Sequence, residues 1–99
     1  MSTDNSDIYS KKAIGRRLLI TRQYYMMSQA DFAKGAGIND NTYNQYEKAK
    51  KRPSIENAIQ LCNRYNITLD WIYRGEASGL RHELATMVLG LQKTNFKIK

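Results

Sequence analysis

The sequence predicts an all-α bundle of short helices, and three observations carry that expectation. Apolar residues recur at i, i+3, i+4 and i+7 through successive segments, the spacing of one buried helix face. Short polar residues suited to capping, Ser28, Asn39, Ser54 and Thr68, stand in front of those segments. Residues that tolerate the left-handed conformation, Gly37, Asn66 and Gly75, stand behind them. At 99 residues the chain is long enough for one modest core and too short for a second, ligand-sensing domain.

Residues 1–9, MSTDNSDIY, are polar and lack sustained periodicity, so they read as a flexible arm whose acidic residues would repel phosphate. A helix from Ser10 or Lys11 to Met26 places Ile14, Leu18 and Tyr25 on one side, with Lys11, Lys12, Arg16 and Arg17 supplying charge around it. Arg22 falls on the apolar strip and needs a partner there. Ser28 and Asp31 form an S-x-x-D capping box for a second helix, which turns Phe32, Ala33 and Ala36 inward and stops at Gly37. Ile38 backs the turn, and Asn39 caps a third helix in which Tyr43 and Tyr46 share the inner face. Ser54 opens a fourth helix with Ile55, Ala58, Ile59, Cys62 and Tyr65 as its buried face, and Thr68 opens the short segment LDWIYR. From Ser78 to Leu91 a further helix is expected, with Leu80, Leu84, Met87, Val88 and Leu91 on one side; the end is basic and loose.

The outer face of the third helix carries Asp40, Asn41, Asn44 and Gln45. A helix face that merely meets water is usually built from Lys, Glu and Arg, which are better helix formers than Asn and Asp. Carboxamides carry donor and acceptor side by side, matching the N6 and N7 edge of adenine in the major groove, and a carboxylate accepts from cytosine N4. These four are the candidate base readers of double-stranded DNA. Immediately beyond lies KAKKRPS, where Lys50, Lys51 and Arg52 precede Pro53, placed to meet phosphates flanking a groove-bound helix. The formal charge of +7, from 16 Lys and Arg against 9 Asp and Glu, favours a polyanionic partner.

SQADFAKGAGINDNTYNQYE, followed by KAKKRPS and ITLDWIYRG, resembles the helix-turn-helix domain of the phage repressor and Cro class, also called the xenobiotic response element family. The resemblance runs from about Ile14 to Gly75. It implies a compact five-helix, lambda-repressor-like DNA-binding domain over residues 10–76, to which this chain adds a C-terminal amphipathic helix at 77–92 and a basic tail at 93–99. It implies a structural ion pair between Arg22 and Glu47, and a phosphate-touching, helix-steadying role for Gln29. Asn39 and Thr42, beside the readers, join Lys50, Lys51 and Arg52 as phosphate and positioning residues. Two positions depart from the family: Thr21, usually a large apolar residue, and Ala49, commonly glycine.

A sequence-specific transcriptional regulator, a repressor by this resemblance, is therefore expected, cytoplasmic and usually dimeric. The surplus apolar surface of Trp71, Leu80, Leu84, Met87, Val88 and Leu91 nominates the dimerisation element, with docking of the last helix on its own bundle left open, and an antitoxin-like protein that also holds a toxin partner is the alternative. One cysteine and one histidine build neither a disulfide nor a structural zinc site, and no catalytic residue, metal or cofactor is expected. No apolar run spans a bilayer and no signal peptide opens the chain, so no membrane role is expected.

Overall fold

The computed structural model describes residues 8–93, with side chains through Gly90; the arm and tail expectations for residues 1–7 and 94–99, and the side chain of Leu91, lie outside them. Six helices and no strand make up the described residues: α1 Lys11–Tyr24, α2 Gln29–Gly35, α3 Asp40–Glu47, α4 Ile55–Tyr65, α5 Leu69–Arg74 and α6 His82–Lys93. None is long and apolar enough to cross a membrane.

Side-chain caps open the first five helices by taking up backbone donors that lack an intrahelical partner. Ser10 Oγ accepts from Ala13 N (3.0 Å), Ser28 Oγ from Asp31 N (3.1 Å) and Ser54 Oγ from Asn57 N (3.1 Å). Asn39 Oδ1 accepts from Asn41 N and Thr42 N (2.8 and 3.3 Å), and Thr68 Oγ1 from Trp71 N (2.9 Å). Asn66 and Gly75 end α4 and α5 in the left-handed conformation, as Gly37 does just past α2. Helix α1 stops at Tyr24, short of Met26, because Met26 itself turns left-handed at φ 58°.

The core runs along α1, against which α3, α5 and α6 pack. Ile14, Leu18, Phe32, Tyr43, Leu61, Trp71, Ile72, Leu84 and Val88 are fully enclosed. Aromatic rings link the end of α1 to α3 by way of α4 and α2: Phe32 stacks on Tyr65 at 4.0 Å between centroids, and Tyr25 and Tyr43 flank that pair. Helix α4 buries Ala58, Leu61 and Tyr65, whereas Ile55 and Ile59, expected inside, are 50% and 43% exposed. Its rotation is set by polar ends: Tyr65 Oη donates to the Phe32 carbonyl (2.7 Å), Tyr25 Oη to the Tyr65 carbonyl (2.6 Å) and Asn57 Nδ2 to Tyr46 Oη (2.8 Å). Hydrogen-bond demand outranks the apolar count at these positions.

Two further expectations are corrected. Arg17 is 8% exposed rather than a surface charge; it donates to the carbonyls of Ile72 (3.1 Å) and Ile8 (2.6 Å). It thereby satisfies a free carbonyl in the last turn of α5 and fixes residue 8 to the bundle. Burial lowers its pKa from the ordinary guanidinium value. The second concerns where the nominated dimerisation element packs, not whether the protein pairs. After a turn at 78–80, α6 docks on its own chain, with Leu80, Leu84 and Val88 buried and Met87 half-buried against the core. Trp71 is also inside, because its indole Nε1 donates to Thr21 Oγ1 (2.9 Å) while that hydroxyl donates to the Arg17 carbonyl (2.8 Å). Apolar area that looked surplus in sequence is consumed within the chain.

Thr21 is thus matched to Trp71. Thr21→Val keeps shape but leaves a buried indole N–H without an acceptor, so it should destabilise by ~1 to 3 kcal/mol in thermal or urea unfolding. Unchanged stability would show that the hydroxyl has no structural part.

Candidate nucleic-acid interface

Helices α2 and α3 are joined by four residues, Ala36, Gly37, Ile38 and Asn39, that leave little freedom. Gly37 takes φ 73°, and the Ile38 N–H returns to the Ala33 carbonyl (2.9 Å) while the Ile38 side chain is buried behind the turn. Gly15 on α1 lets the end of α3 come against the α1 backbone; a Cβ there would lie 2.5 Å from the Tyr46 carbonyl oxygen.

The orientation of α3 depends on Glu47, whose side chain is 7% exposed. Arg22 on α1 binds it in a fork, Nε to Oε2 at 2.8 Å and Nη2 to Oε1 at 3.0 Å, and spends Nη1 on the Met27 carbonyl (3.0 Å). Tyr43 Oη donates to Oε2 (2.5 Å) and Gln29 Nε2 to Oε1 (2.8 Å). Gln29 Oε1 in turn accepts from Asn44 Nδ2 (2.7 Å). Burial alone would push the Glu47 carboxyl up, but the bonds from Arg22, Tyr43 and Gln29 outweigh it and hold the group below its ordinary range. Burial and the bond to Glu47 push the Tyr43 phenol far up, keeping it a donor.

Among the candidate readers, Asp40 and Asn41 are exposed and Asn44 and Gln45 half-buried on the outer side of α3. The Asn39 side chain is committed to capping α3, and both ends of the Gln29 amide are held by Glu47 and Asn44, so these two act on the helix's position. Thr42 lines a surface depression of about 480 Å³ together with Lys11, Tyr46, Lys50, Lys51, Arg52, Ser54 and Asn57. Lys11, one of the basic residues expected around the first helix, reaches the same depression, although no spacing rule connects the first turn of α1 with a loop about forty residues later. Arg52 Nη2 donates to the Tyr9 carbonyl (3.0 Å), so residue 9, read as arm, is tied to this loop. Ala49 keeps the left-handed conformation of the absent glycine at φ 63°, with a strain of ~1 kcal/mol. Trp71, Leu80, Leu84 and Val88 take no part in this surface.

A helix-turn-helix family model matches residues 22–72, which takes in α2, the turn, α3 and α4. The chain belongs to the helix-turn-helix family. This helix-turn-helix protein is similar to the HTH-type transcriptional regulator ImmR of Bacillus subtilis (strain 168), with 28% identity over 60 residues, 61% of this chain and 47% of that protein. It therefore spans about half the length of that relative. No solved structure matches it.

Removing one member of the ion pair leaves the other unpaired. Arg22→Ala should cost about 3 kcal/mol by stranding the more buried carboxylate, and Glu47→Ala somewhat less, because Arg22 is 18% exposed and reaches water. A double-mutant cycle should show strong coupling; independent effects would dissolve the pair. Because the Glu47 pKa is depressed, its stabilisation is complete above the unfolded carboxylate value of ~4.3 and is lost as pH falls through the folded value. Acid destabilisation of the wild type should accordingly be steeper than that of Glu47→Gln.

Proposed function

We propose that the protein is a sequence-specific DNA-binding transcriptional regulator of the phage repressor and Cro class, acting as a repressor. The observation that carries this reading is α3 itself. It is locked from inside through Glu47, turns Asp40, Asn41, Asn44 and Gln45 outward, and borders a depression lined by Lys11, Lys50, Lys51 and Arg52. Base-edge contact needs an ordered row of short polar groups, and phosphate contact needs cations beside it. Similarity to a protein named as a transcriptional regulator supports the same reading.

Two substitution sets separate readers from positioners. Asn41→Ala or Gln45→Ala should lose ~1 to 3 kcal/mol on the preferred site and little on random duplex. Replacing Lys50, Lys51 or Arg52 singly by Ala should weaken binding on all sequences and flatten the slope of log K against log salt by about 0.9 per lost phosphate contact. Equal losses in the first set, or unchanged slopes in the second, would remove those residues from the interface.

We further propose that two copies bind a palindromic operator, since one recognition helix spans too few base pairs to be distinctive and twofold pairing is the commonest closed assembly. Their α3 helices would sit about 34 Å apart, or a multiple of that. The proposed pairing does not use the face of α6 that packs on its own chain. Sedimentation of protein with a full operator should give two chains per duplex, whereas one chain at saturation would overturn the pairing.

A further inference from the structure

Every hydrogen bond around Glu47 has a direction, and the directions propagate outward to the reading face. An ionised carboxylate only accepts. Gln29 must therefore turn its amide nitrogen to Glu47, and Nε2 lies 2.8 Å from Oε1. That leaves the Gln29 oxygen facing Asn44. Two amide oxygens cannot bond each other, so Asn44 in turn presents its nitrogen, and Nδ2 lies 2.7 Å from Gln29 Oε1. The choice of amide orientation, normally free at a polar surface, is made at both residues by a single buried charge. With its nitrogen turned towards Gln29, Asn44 is left with Oδ1 and the second Nδ2 hydrogen for other partners.

We infer that this relay makes Asn44 a specificity-determining residue of fixed polarity, which selects a base carrying an exocyclic amine in the major groove. The inference rests on α3 being the base-reading helix. Adenine offers N6 as donor to Oδ1 and N7 as acceptor for the remaining amide hydrogen, and cytosine offers N4 to Oδ1. Guanine and thymine present only acceptors on that edge, besides the thymine methyl, so either could take the remaining amide hydrogen but would leave Oδ1 without a donor. An isolated asparagine escapes this restriction by turning its amide over. Here the turn would set Asn44 Oδ1 against Gln29 Oε1, and Gln29 cannot follow without setting its own oxygen against Glu47.

The test is selection of bound sites from random duplex DNA by the wild type, Asn44→Ala and Gln29→Leu, with Kd values for all four bases at each selected position. The expected result is one position per recognition helix where the wild type prefers adenine or cytosine over guanine and thymine by about 5- to 150-fold. Asn44→Ala should abolish that preference. Gln29→Leu, which frees the amide to turn, should shrink it by more than it shrinks the preferences at the positions dependent on Asn41 and Gln45, which any loosening of α3 would lower together. A second measurement needs no variant: with the wild-type protein, adenine is replaced by purine and cytosine by pyrimidin-2-one along the selected site, removing one amine at a time. One replacement should weaken binding by a similar factor, in the column that Asn44→Ala erases if that variant folds. Selected sites with no amine-sensitive position outside those lost with Asn41 and Gln45, or loss of a guanine or thymine preference in Asn44→Ala, would overturn the inference alone. A wild type that enriches no sequence would overturn the base-reading function with it.

Discussion

The Glu47 carboxylate is the constraint on which the reading unit depends. It is nearly enclosed, and an enclosed charge is costly unless its lone pairs are used. Four donor bonds use them: two from Arg22 on α1, one from Tyr43 on α3 and one from Gln29 on α2. Three helices are thereby referred to one group. Relative translation or rotation of any of them would lengthen at least one charge-assisted bond, which is roughly twice as strong as a neutral one. The aromatic packing of Phe32, Tyr43 and Tyr65 behind this point supplies area, but dispersion is undirected. Direction comes from the carboxylate.

A second polar node works at the other end of the bundle. Thr21 accepts from Trp71 and donates to the Arg17 carbonyl, and Arg17 reaches the end of α5 and the Ile8 carbonyl. Gly75 also lies close to this node, since a Cβ there would stand 3.1 Å from Arg17 Nη1. Turning Trp71 inward anchors α5 on α1, and α6 then packs on α1 with Leu84 and Val88 fully enclosed. The additional helix completes the same core on another side of α1, so its buried face is taken up within this chain.

Local signals were the legible ones. Caps and stops were readable because they act over three or four residues, and Ser28, Asn39, Ser54, Thr68, Gly37, Asn66 and Gly75 all occupy those roles. The Arg22 and Glu47 contact was accessible only through family resemblance, since 25 residues separate them and no spacing rule connects them. Periodicity misled on α4, where Ile55, Ile59 and Cys62 fit a buried row as well as Ala58, Leu61 and Tyr65 do. The tie was decided by hydroxyl partners on other helices, which no pattern within α4 contains. Arg17 and Trp71 were misjudged for a related reason: a long amphipathic side chain goes inside when a distant acceptor exists for its polar end. Gln29 and Asn44 were identified as site residues, but their mutual bond, and hence their polarity, is a property of the assembled helices.

Strain at the borders of the reading unit fits the same picture. Met26 and Ala49, neither of them glycine, hold φ values of 58° and 63° and bracket residues 27–48, which contain α2, the turn and α3. Each conformation costs ~1 kcal/mol. Such residues persist only where the surroundings over-determine them. At one border Arg22 Nη1 and the Arg22 carbonyl both hold Met27, the latter through its N–H; at the other the Gln45 carbonyl receives the N–H groups of Lys50 and Lys51. The corners are therefore stiff despite lacking glycine. A stiff frame matters for binding because ordering a free polar side chain at an interface costs about 0.5 to 1.5 kcal/mol. Asn44 is already ordered by the bonds that run back through Gln29 to Glu47, so contact with a base edge would find it in place. Under the proposed function, the same carboxylate that holds the helices together would lower the entropy cost of base contact and restrict which base Asn44 meets.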